Sequence, residues 1–500
     1  MSKIFAEVIP YIRSIPNRSI FDYEIPATCN YQVGDIVTIN FRHREIIALI
    51  FKIKKNSLYT NIKPILNKIP NLSLTAKQLN LLSFLAQKYQ IALTLAFKTI
   101  FPEISKKITV VNKISDLQKA KKYKINNQRI NIIRKSINQA VHSDQPIILH
   151  TNIVEEKYAF LLGILKKIPP NKQLLIVVPE IKDIEIIASF FSDYSPTILH
   201  SGLNKATYWI NWLKIKQRKT RLIIGTKVAI FVPPDSIERI VIDDEEDKSH
   251  SNYDQNPKYH VLEIARQITN KIILISRAPT ISSSYKFSSI ELLGRKNIIE
   301  IVDLNREKAQ GNYSFFSERL LAAVNSAKKS LLIFNRKGEA KWLLCKQCQE
   351  VLPFATTTHC PHCHNYDLKK ISYGLKKLLR DLKKIFPLKK IIEVSTDTKS
   401  NILSEFDIVI GTDYALRKIN IDDINLIGVI SLDHQLAIPV YDSAEKVWQE
   451  IAKIVAFFKP TIIQTHCPDN IVIKTAINQD YKTFYQFELQ QRRQFHLPPF

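Results

Sequence analysis

Four of the six cysteines in this 500-residue chain form two C-x-x-C pairs, Cys345-Lys346-Gln347-Cys348 and Cys360-Pro361-His362-Cys363. Four thiolates at that spacing can close a tetrahedron around one Zn²⁺. Six cysteines in so long a chain cannot be a disulfide framework, and paired thiolates of this kind point to a reducing compartment, the cytoplasm. His359, His362 and His364 stand near enough to compete as ligands, although outer-sphere or surface roles suit them better. Cys29 and Cys467 lack partners and read as small hydrophobes.

The elements that must carry these residues change character along the chain. Residues 1–70 read as short β segments, among them Asp35-IVTINF-Arg42 and Glu45-IIALIFKI-Lys54, separated by turns. Leu79, Leu81, Leu82, Phe84, Leu85 and Tyr89 then recur at helical spacing, which predicts one or two helices closing that module. A lysine-rich stretch, Lys106 to Lys124, reads as a connector. Beyond it, helical patterns alternate with β-branched runs: LLIVV, PTILH, RLIIG, RIVI and IILIS, and later LLIFN, IIEVS, DIVIG, LIGVISL and PTIIQT. Such alternation predicts βα units and a mostly parallel sheet, here in two lobes.

Composition bounds the partners. Lys plus Arg is 72 against 46 Asp plus Glu, a formal net charge of +26. That favours a polyanion, although lysine-rich surfaces alone would give the same sum. Hydrophobic residues at 45% exclude a disordered polycation, and no apolar run is long enough to cross a bilayer. The lysine pairs Lys121-Lys122, Lys166-Lys167, Lys376-Lys377 and Lys389-Lys390, summed with the net charge, predict salt-sensitive DNA binding.

A series of motifs in order gives a sharper reading. Phe21-Asp22-Tyr23, Val178-Pro179-Glu180, His200-Ser201-Gly202-Leu203, Gly225-Thr226-Lys227-Val228-Ala229, Asp244-Glu245-Glu246-Asp247, Pro257-Lys258-Tyr259-His260 and Asn335-Arg336-Lys337-Gly338 resemble the PriA family of replication restart helicases, also called primosomal protein N′. The resemblance runs from about Ala6 to Phe500 and implies an α/β protein. It would have a small β-rich N-terminal domain, then two RecA-like parallel-sheet lobes with a zinc-ribbon insertion in the second. The expected division is 1–104 for a domain like those that bind a 3′ DNA end, and 105–125 for a basic connector, a reduced winged-helix region. Lobe 1 would cover 126–325, and lobe 2 would cover 326–472 with the insertion at about 342–368. Residues 473–500 would begin a missing or truncated C-terminal domain. Family members usually carry four cysteine pairs and two zinc ions; here the inner pairs are absent as a block, leaving one complete site.

Departures from the family pattern concern its engine. A triphosphate loop needs glycines, a lysine and a hydroxyl to surround phosphate with N–H groups. The corresponding segment is His150-Thr151-Asn152-Ile153-Val154-Glu155-Glu156-Lys157-Tyr158, in which only Lys157 is kept. No glycine lies between Gly34 and Gly163, and Tyr158 replaces the hydroxyl expected to hold Mg²⁺. Each of Glu155 and Glu156, within about 4 Å of a phosphate charge, costs on the order of 4 kcal/mol per charge pair. Asp244 and Glu245 would by resemblance hold Mg²⁺ and orient water, whereas an acidic run taken alone reads as a solvated loop. The arginine finger should lie between Trp448 and Pro460, yet no arginine occurs from Lys418 to Gln491. Such a finger contributes about 10³ to 10⁵ in rate. Lys157, Asp244 and Glu245 are therefore expected to be vestigial, with ATP and Mg²⁺ binding weak or absent.

By the same resemblance, the first domain cradles a terminal 3′ nucleotide through Asp22, with Lys63 meeting the adjacent phosphate. Tyr23 and Phe21 are either stacking residues or core, and Arg42 either adds a phosphate contact or blocks the pocket. The implied partners are forked or single-stranded DNA, replicative-helicase loading proteins and single-strand-binding protein, with no membrane. The expected function is assembly of the replication restart primosome without helicase activity. An active ATP-dependent 3′-to-5′ helicase and a general nucleic-acid-binding scaffold are the alternatives.

Overall fold

The computed structural model describes residues 3–12, 19–26, 30–105, 127–292, 294, 297–334, 341–348, 351–353, 358–372, 375–394 and 405–500. Cys29, the Lys106 to Lys124 connector and the motif at 335–338 lie outside the described residues. The chain divides into two compact units, one of Met1–Ser276 with Lys286–Leu292, the other of Arg277–Tyr285 with Leu293–Phe500.

The first unit begins with an antiparallel sheet of β1 (Ile4–Pro10), β2 (Phe21–Ile25), β3 (Asp35–Phe41), β4 (Arg44–Lys54) and β5 (Ile65–Ser73), ordered β2-β1-β4-β3-β5. The β3–β4 turn puts both Arg42 and His43 at positive φ, 49° and 62°, which matches the twist of a tight hairpin. Successive side chains point to opposite faces, so Val8 joins one core and Ile9 another. Ile9, Ile36 and Leu49 pack with α1 (Ala76–Lys88) and α2 (Leu93–Ile100). A reciprocal Thr75–Gln78 capping box starts α1, as its sequence allows.

Lobe 1 follows from α3 (Asn127–His142) with β6 (Ile147–Thr151), α4 (Val154–Lys167), β7 (Gln173–Val177), α5 (Ile181–Phe190), β8 (Thr197–Leu199), α6 (Lys205–Lys216), β9 (Leu222–Gly225), β10 (Ile237–Asp243), α7 (Val261–Ile268), β11 (Ile272–Ser276) and β12 (Ser288–Leu292). Their order is β12-β6-β11-β10-β7-β9-β8, and every pairing is parallel. Strands β6, β7, β9 and β11 are buried along their whole length because helices cover both faces, which explains the three or four consecutive Ile, Leu and Val residues in each. Gly225 is required where β9 meets β8: an added Cβ would lie 2.1 Å from the Leu199 carbonyl oxygen. The N-terminal domain and this lobe share one core. Phe101, stacked on Phe97, meets Trp209 and Trp212 of α6 edge-on, with centroids 6.0 and 5.5 Å away.

In the second unit, α8 (Ile281–Lys286), whose last two residues fall at the unit boundary, precedes β13 (Ile299–Asp303), α9 (Leu304–Ala309), α10 (Glu318–Ser326) and β14 (Ser330–Ile333). Then come the antiparallel strands β15 (Lys341–Cys345), β16 (Val351–Pro353) and β17 (Leu368–Ser372), ordered β16-β15-β17. The lobe resumes with α11 (Leu375–Ile385), β18 (Ile391–Val394), β19 (Ile408–Gly411), α12 (Ala415–Lys418), β20 (Leu426–Val429), α13 (Asp433–Leu436), α14 (Ser443–Val455) and β21 (Thr461–Thr465). The resulting six-stranded sheet, β13-β21-β20-β14-β19-β18, is parallel throughout. All ten anticipated strands of the two lobes form, and the ribbon sits between β14 and α11. Residues 473–500 hold the end of α15 (Ile471–Ile477) and α16 (Tyr481–Gln494). Phe484 of α16 stacks on Trp448 of α14 at 5.3 Å within the same core.

Candidate functional site

Asp22 lies on β2, where the alternation that turns Phe21 and Tyr23 toward the core leaves Asp22 on the other face. Its carboxylate accepts from Lys54 Nζ at 2.9 Å and from the Ser57 hydroxyl. Lys54 also reaches Glu7 Oε1 at 2.9 Å, and that carboxylate, with Asp22, holds the Lys54 ammonium above its ordinary pKa despite opposing desolvation. Tyr23 is buried and donates its hydroxyl to the Asn40 carbonyl at 2.8 Å, while burial raises its pKa. Arg42 stays on the hairpin turn with its guanidinium 5.7 Å from the Phe41 ring, which meets Phe21 edge-on at 5.0 Å. Lys63 is exposed, and its carbonyl accepts from the Glu24 amide at 3.0 Å, two residues along β2 from Asp22. The fold thus brings Asp22 together with Lys54 and Ser57, which sequence reading missed. Their only sequence signal is proximity to a turn after β4.

The β6–α4 connection contains just two residues, Asn152 and Ile153, before α4 begins at Val154. The Ile153 amide is satisfied by Thr151 Oγ1 at 3.3 Å, and the first turn of α4 carries Glu155 and Glu156. Arg129 of α3 forks onto the buried Glu156, with its Nε 2.5 Å from Oε1. Lys157 is also buried, and its Nζ donates to both oxygens of Asp243, at 3.1 and 2.9 Å. Tyr158 stacks on Phe190 of α5 at 3.8 Å.

Asp243 ends β10, one residue before the acidic pair singled out in the sequence. Asp244 turns the chain at φ 47°, and the amide of the buried Glu245 donates to the Ile275 carbonyl at 3.0 Å. Glu246 accepts from the Ser276 hydroxyl at 2.6 Å, and Asp247 caps the following turn by accepting from the Ser249 amide at 2.9 Å. His250, fully buried, donates Nε2–H to the Asp243 carbonyl at 2.7 Å, and burial lowers its pKa. The acidic run is therefore a folded, internally bonded loop rather than a solvated one.

In the second unit the region expected to carry an arginine finger, between Trp448 and Pro460, falls on the latter part of α14 and the turn after it. Just ahead of it the buried Glu445 accepts from the Ile281 amide at 2.9 Å and from Arg492 Nη2 at 2.6 Å, and within it Gln449 donates to the Ala278 carbonyl at 3.2 Å.

The four thiols of Cys345, Cys348, Cys360 and Cys363 converge, all sulfurs lying within 4.8 Å of one another. Cys345 and Cys363 are 3.4 Å apart, as are Cys348 and Cys360. Sulfurs placed tetrahedrally around Zn²⁺ at 2.3 Å lie about 3.8 Å apart, so the cage is compatible with one ion. The turn at each pair is fixed by backbone bonds, Lys346 N to the Asp367 carbonyl at 3.1 Å and His364 N to the Cys360 carbonyl at 2.8 Å. Backbone donation from Cys348 pulls the Cys345 thiol down to about 7, toward the thiolate a metal needs. Among the described residues His359, His362 and His364 do not join the group.

In chain order a small antiparallel sheet precedes two RecA-like parallel-sheet lobes, the second carrying a four-cysteine ribbon. The family model of the PriA 3′DNA-binding domain matches residues 12–102. The replication restart protein PriA of Rickettsia typhi is 27% identical over 96% of this chain and 83% of its own. That of Bacillus subtilis is 27% identical over 68% of this chain, an alignment spanning half the length of the relative. Among solved structures, a DEAD box protein from Methanococcus jannaschii aligns over 71% of this chain and 90% of its own. It is 13% identical, with a TM-score of 0.33. Saccharomyces cerevisiae Dbp5 bound to RNA and ADP BeF3 aligns over 83% and 97% at 11% identity, with a TM-score of 0.41. The chain is thus similar to PriA replication restart proteins along most of its length, and residues 12–102 match the family's 3′DNA-binding domain.

Proposed function

We propose that this chain is a replication restart protein that recognises forked or single-strand-bearing DNA and recruits the replicative helicase without being a motor. One observation carries the second half of that reading: Lys157 is buried and spent on Asp243, at the start of a helix joined to its strand by two residues. A phosphate cradle needs a longer loop of inward-pointing N–H groups, and the Glu155 carboxylate at that helix terminus repels the ligand, while Glu156 is held by Arg129. Asp243 rather than Asp244 then stands as the vestigial metal carboxylate, with Glu245 buried beside it. The Glu445–Arg492 pair and Gln449 hold the chain where an arginine finger would act.

The family match over residues 12–102 supports the first half. Within it, Asp22, Lys63 and Arg42 are proposed as the DNA contacts and Tyr23 as their support from the core. One structural Zn²⁺ in the four-cysteine cage, a cytoplasmic location, and docking to helicase-loading proteins and single-strand-binding protein complete the proposal. The test is DNA-stimulated ATP hydrolysis on forked DNA. The expected rate is no higher than that of Lys157→Ala, with no rise in the melting temperature of the unaltered chain at millimolar ATP and Mg²⁺. Clear turnover that Lys157→Ala abolishes overturns the reading.

A further inference from the structure

Helix α11 carries a second charged feature. Its sequence, LKKLLRDLKKI, separates cleanly by helical position. Leu378 and Leu382 are fully buried and Leu375, Leu379 and Phe386 pack around them, joining the core formed with β18 and β19. Successive residues advance by about 100°, so Lys377, Arg380, Lys383 and Lys384 fall within about a third of the circumference, opposite that apolar stripe. Arg380, Lys383 and Lys384 are exposed and make no ion pair among the described residues, and neither does Asp381, the one acid of the helix. An ordinary solvated helix face intersperses both signs so that neighbours three and four apart attract; here like charges are gathered instead, a local cost in stability. The neighbouring lysines are used differently. Lys389 Nζ caps the carbonyls of Val324 and Asn325 at the end of α10, at 2.6 and 3.0 Å, and Lys390 pairs with Glu405 at 3.1 Å.

We infer that the exposed face of α11 is a docking surface for the DNA phosphate backbone, placed directly after the cysteine ribbon in the chain. From Arg380 to Lys384 the three exposed cations span about 6 Å at 1.5 Å per residue. That length covers about two phosphate steps of a duplex strand at 3.4 Å each, so the three cations can each meet one phosphate. The surface carries no base-reading group and holds DNA without regard to sequence. The inference rests on the DNA-binding part of the proposed function and adds a contact in the second unit.

Fork binding by the full chain is compared between the natural sequence and the triple variant Arg380→Gln, Lys383→Gln, Lys384→Gln. Three phosphate contacts contribute a salt slope of about −2.7, so removing them should cut the affinity ratio between 50 and 200 mM salt by about 40-fold. The charge-keeping triple Arg380→Lys, Lys383→Arg, Lys384→Arg should retain the natural slope. Because all three side chains are exposed, the melting temperature should stay unchanged in both. A natural chain that binds forks, with an unchanged slope in the glutamine variant, overturns the surface and leaves the proposed function standing. A natural chain that binds no DNA removes both. Tighter binding to RNA of the same sequence overturns the choice of occupant.

Discussion

Lys157 and Asp243 form a pair whose individual removal should be worse than joint removal. Lys157→Ala removes the buried cation that compensates the Asp243 carboxylate, a loss of about 3–5 kcal/mol, whereas Lys157→Met with Asp243→Leu should recover most of it. Denaturation midpoints of the single and double variants measure the coupling; additive losses would show that the pair does not hold the lobe. Asp183 gives a pH signature. Burial, against the opposing Lys182 ammonium, pushes its carboxyl up to about 6. A folded-state pKa above the unfolded one means that the native state holds the proton more tightly. Its contribution is therefore complete at acid pH and is lost as pH rises from about 4 through 6. Asp183→Asn should flatten that part of the stability profile, and an unchanged slope would assign it to other groups. At this scale the four cysteines were legible, because two-residue spacing by itself fixes what a pair can hold. The partner of Lys157 was not, because a strand end and a residue at positive φ decide which carboxylate faces it.

Among the elements, the cysteine ribbon and the two N-terminal helices make separable claims. Among the described residues the ribbon core holds Leu343 and the cysteine side chains, with Leu368 against it, and a structural Zn²⁺ is expected to supply much of the ribbon's folding energy. One zinc per chain is expected, released by chelation or lost in Cys360→Ser. The strands of the two lobes should survive, so far-UV circular dichroism should change little. A zinc content near zero in freshly purified protein would contradict this. The α2–α6 contact is tighter: Phe101 is buried against both tryptophans, and Phe101→Ala should cost about 3–5 kcal/mol. Ten of the parallel strands were readable from their β-branched runs. Strands β6 and β13 and edge strand β12 were not, and in β12, Ser288–Leu292, alternating exposure leaves no continuous apolar run.

For the whole molecule, the shared core of the N-terminal domain and lobe 1 predicts that the connector is not what joins them. A protease site placed within 106–126 and cut in the folded protein should leave the two pieces eluting together. Phe101→Asp, which buries a charge among Trp209 and Trp212, should separate them. Tyr89, donating to Glu263 of α7 at 2.5 Å, adds a second tie, and burial raises the pKa of that phenol well beyond its usual range. Separation of the natural pieces after cleavage would show the interface too weak to act alone.

Sequence by itself determined the chemistry that depends on local spacing: two cysteine pairs, runs that must become buried strands, and a lysine without the glycines a phosphate requires. The fold alone decided which groups at distant positions meet. It set Lys157 against Asp243, Asp22 against Lys54 and Ser57, and Phe101 against two tryptophans more than a hundred residues away. Periodicity fixes which face a side chain takes within its own element, but the partner across a sheet or between helices depends on register and packing. Those are set by burial summed over the whole core, which no local window contains.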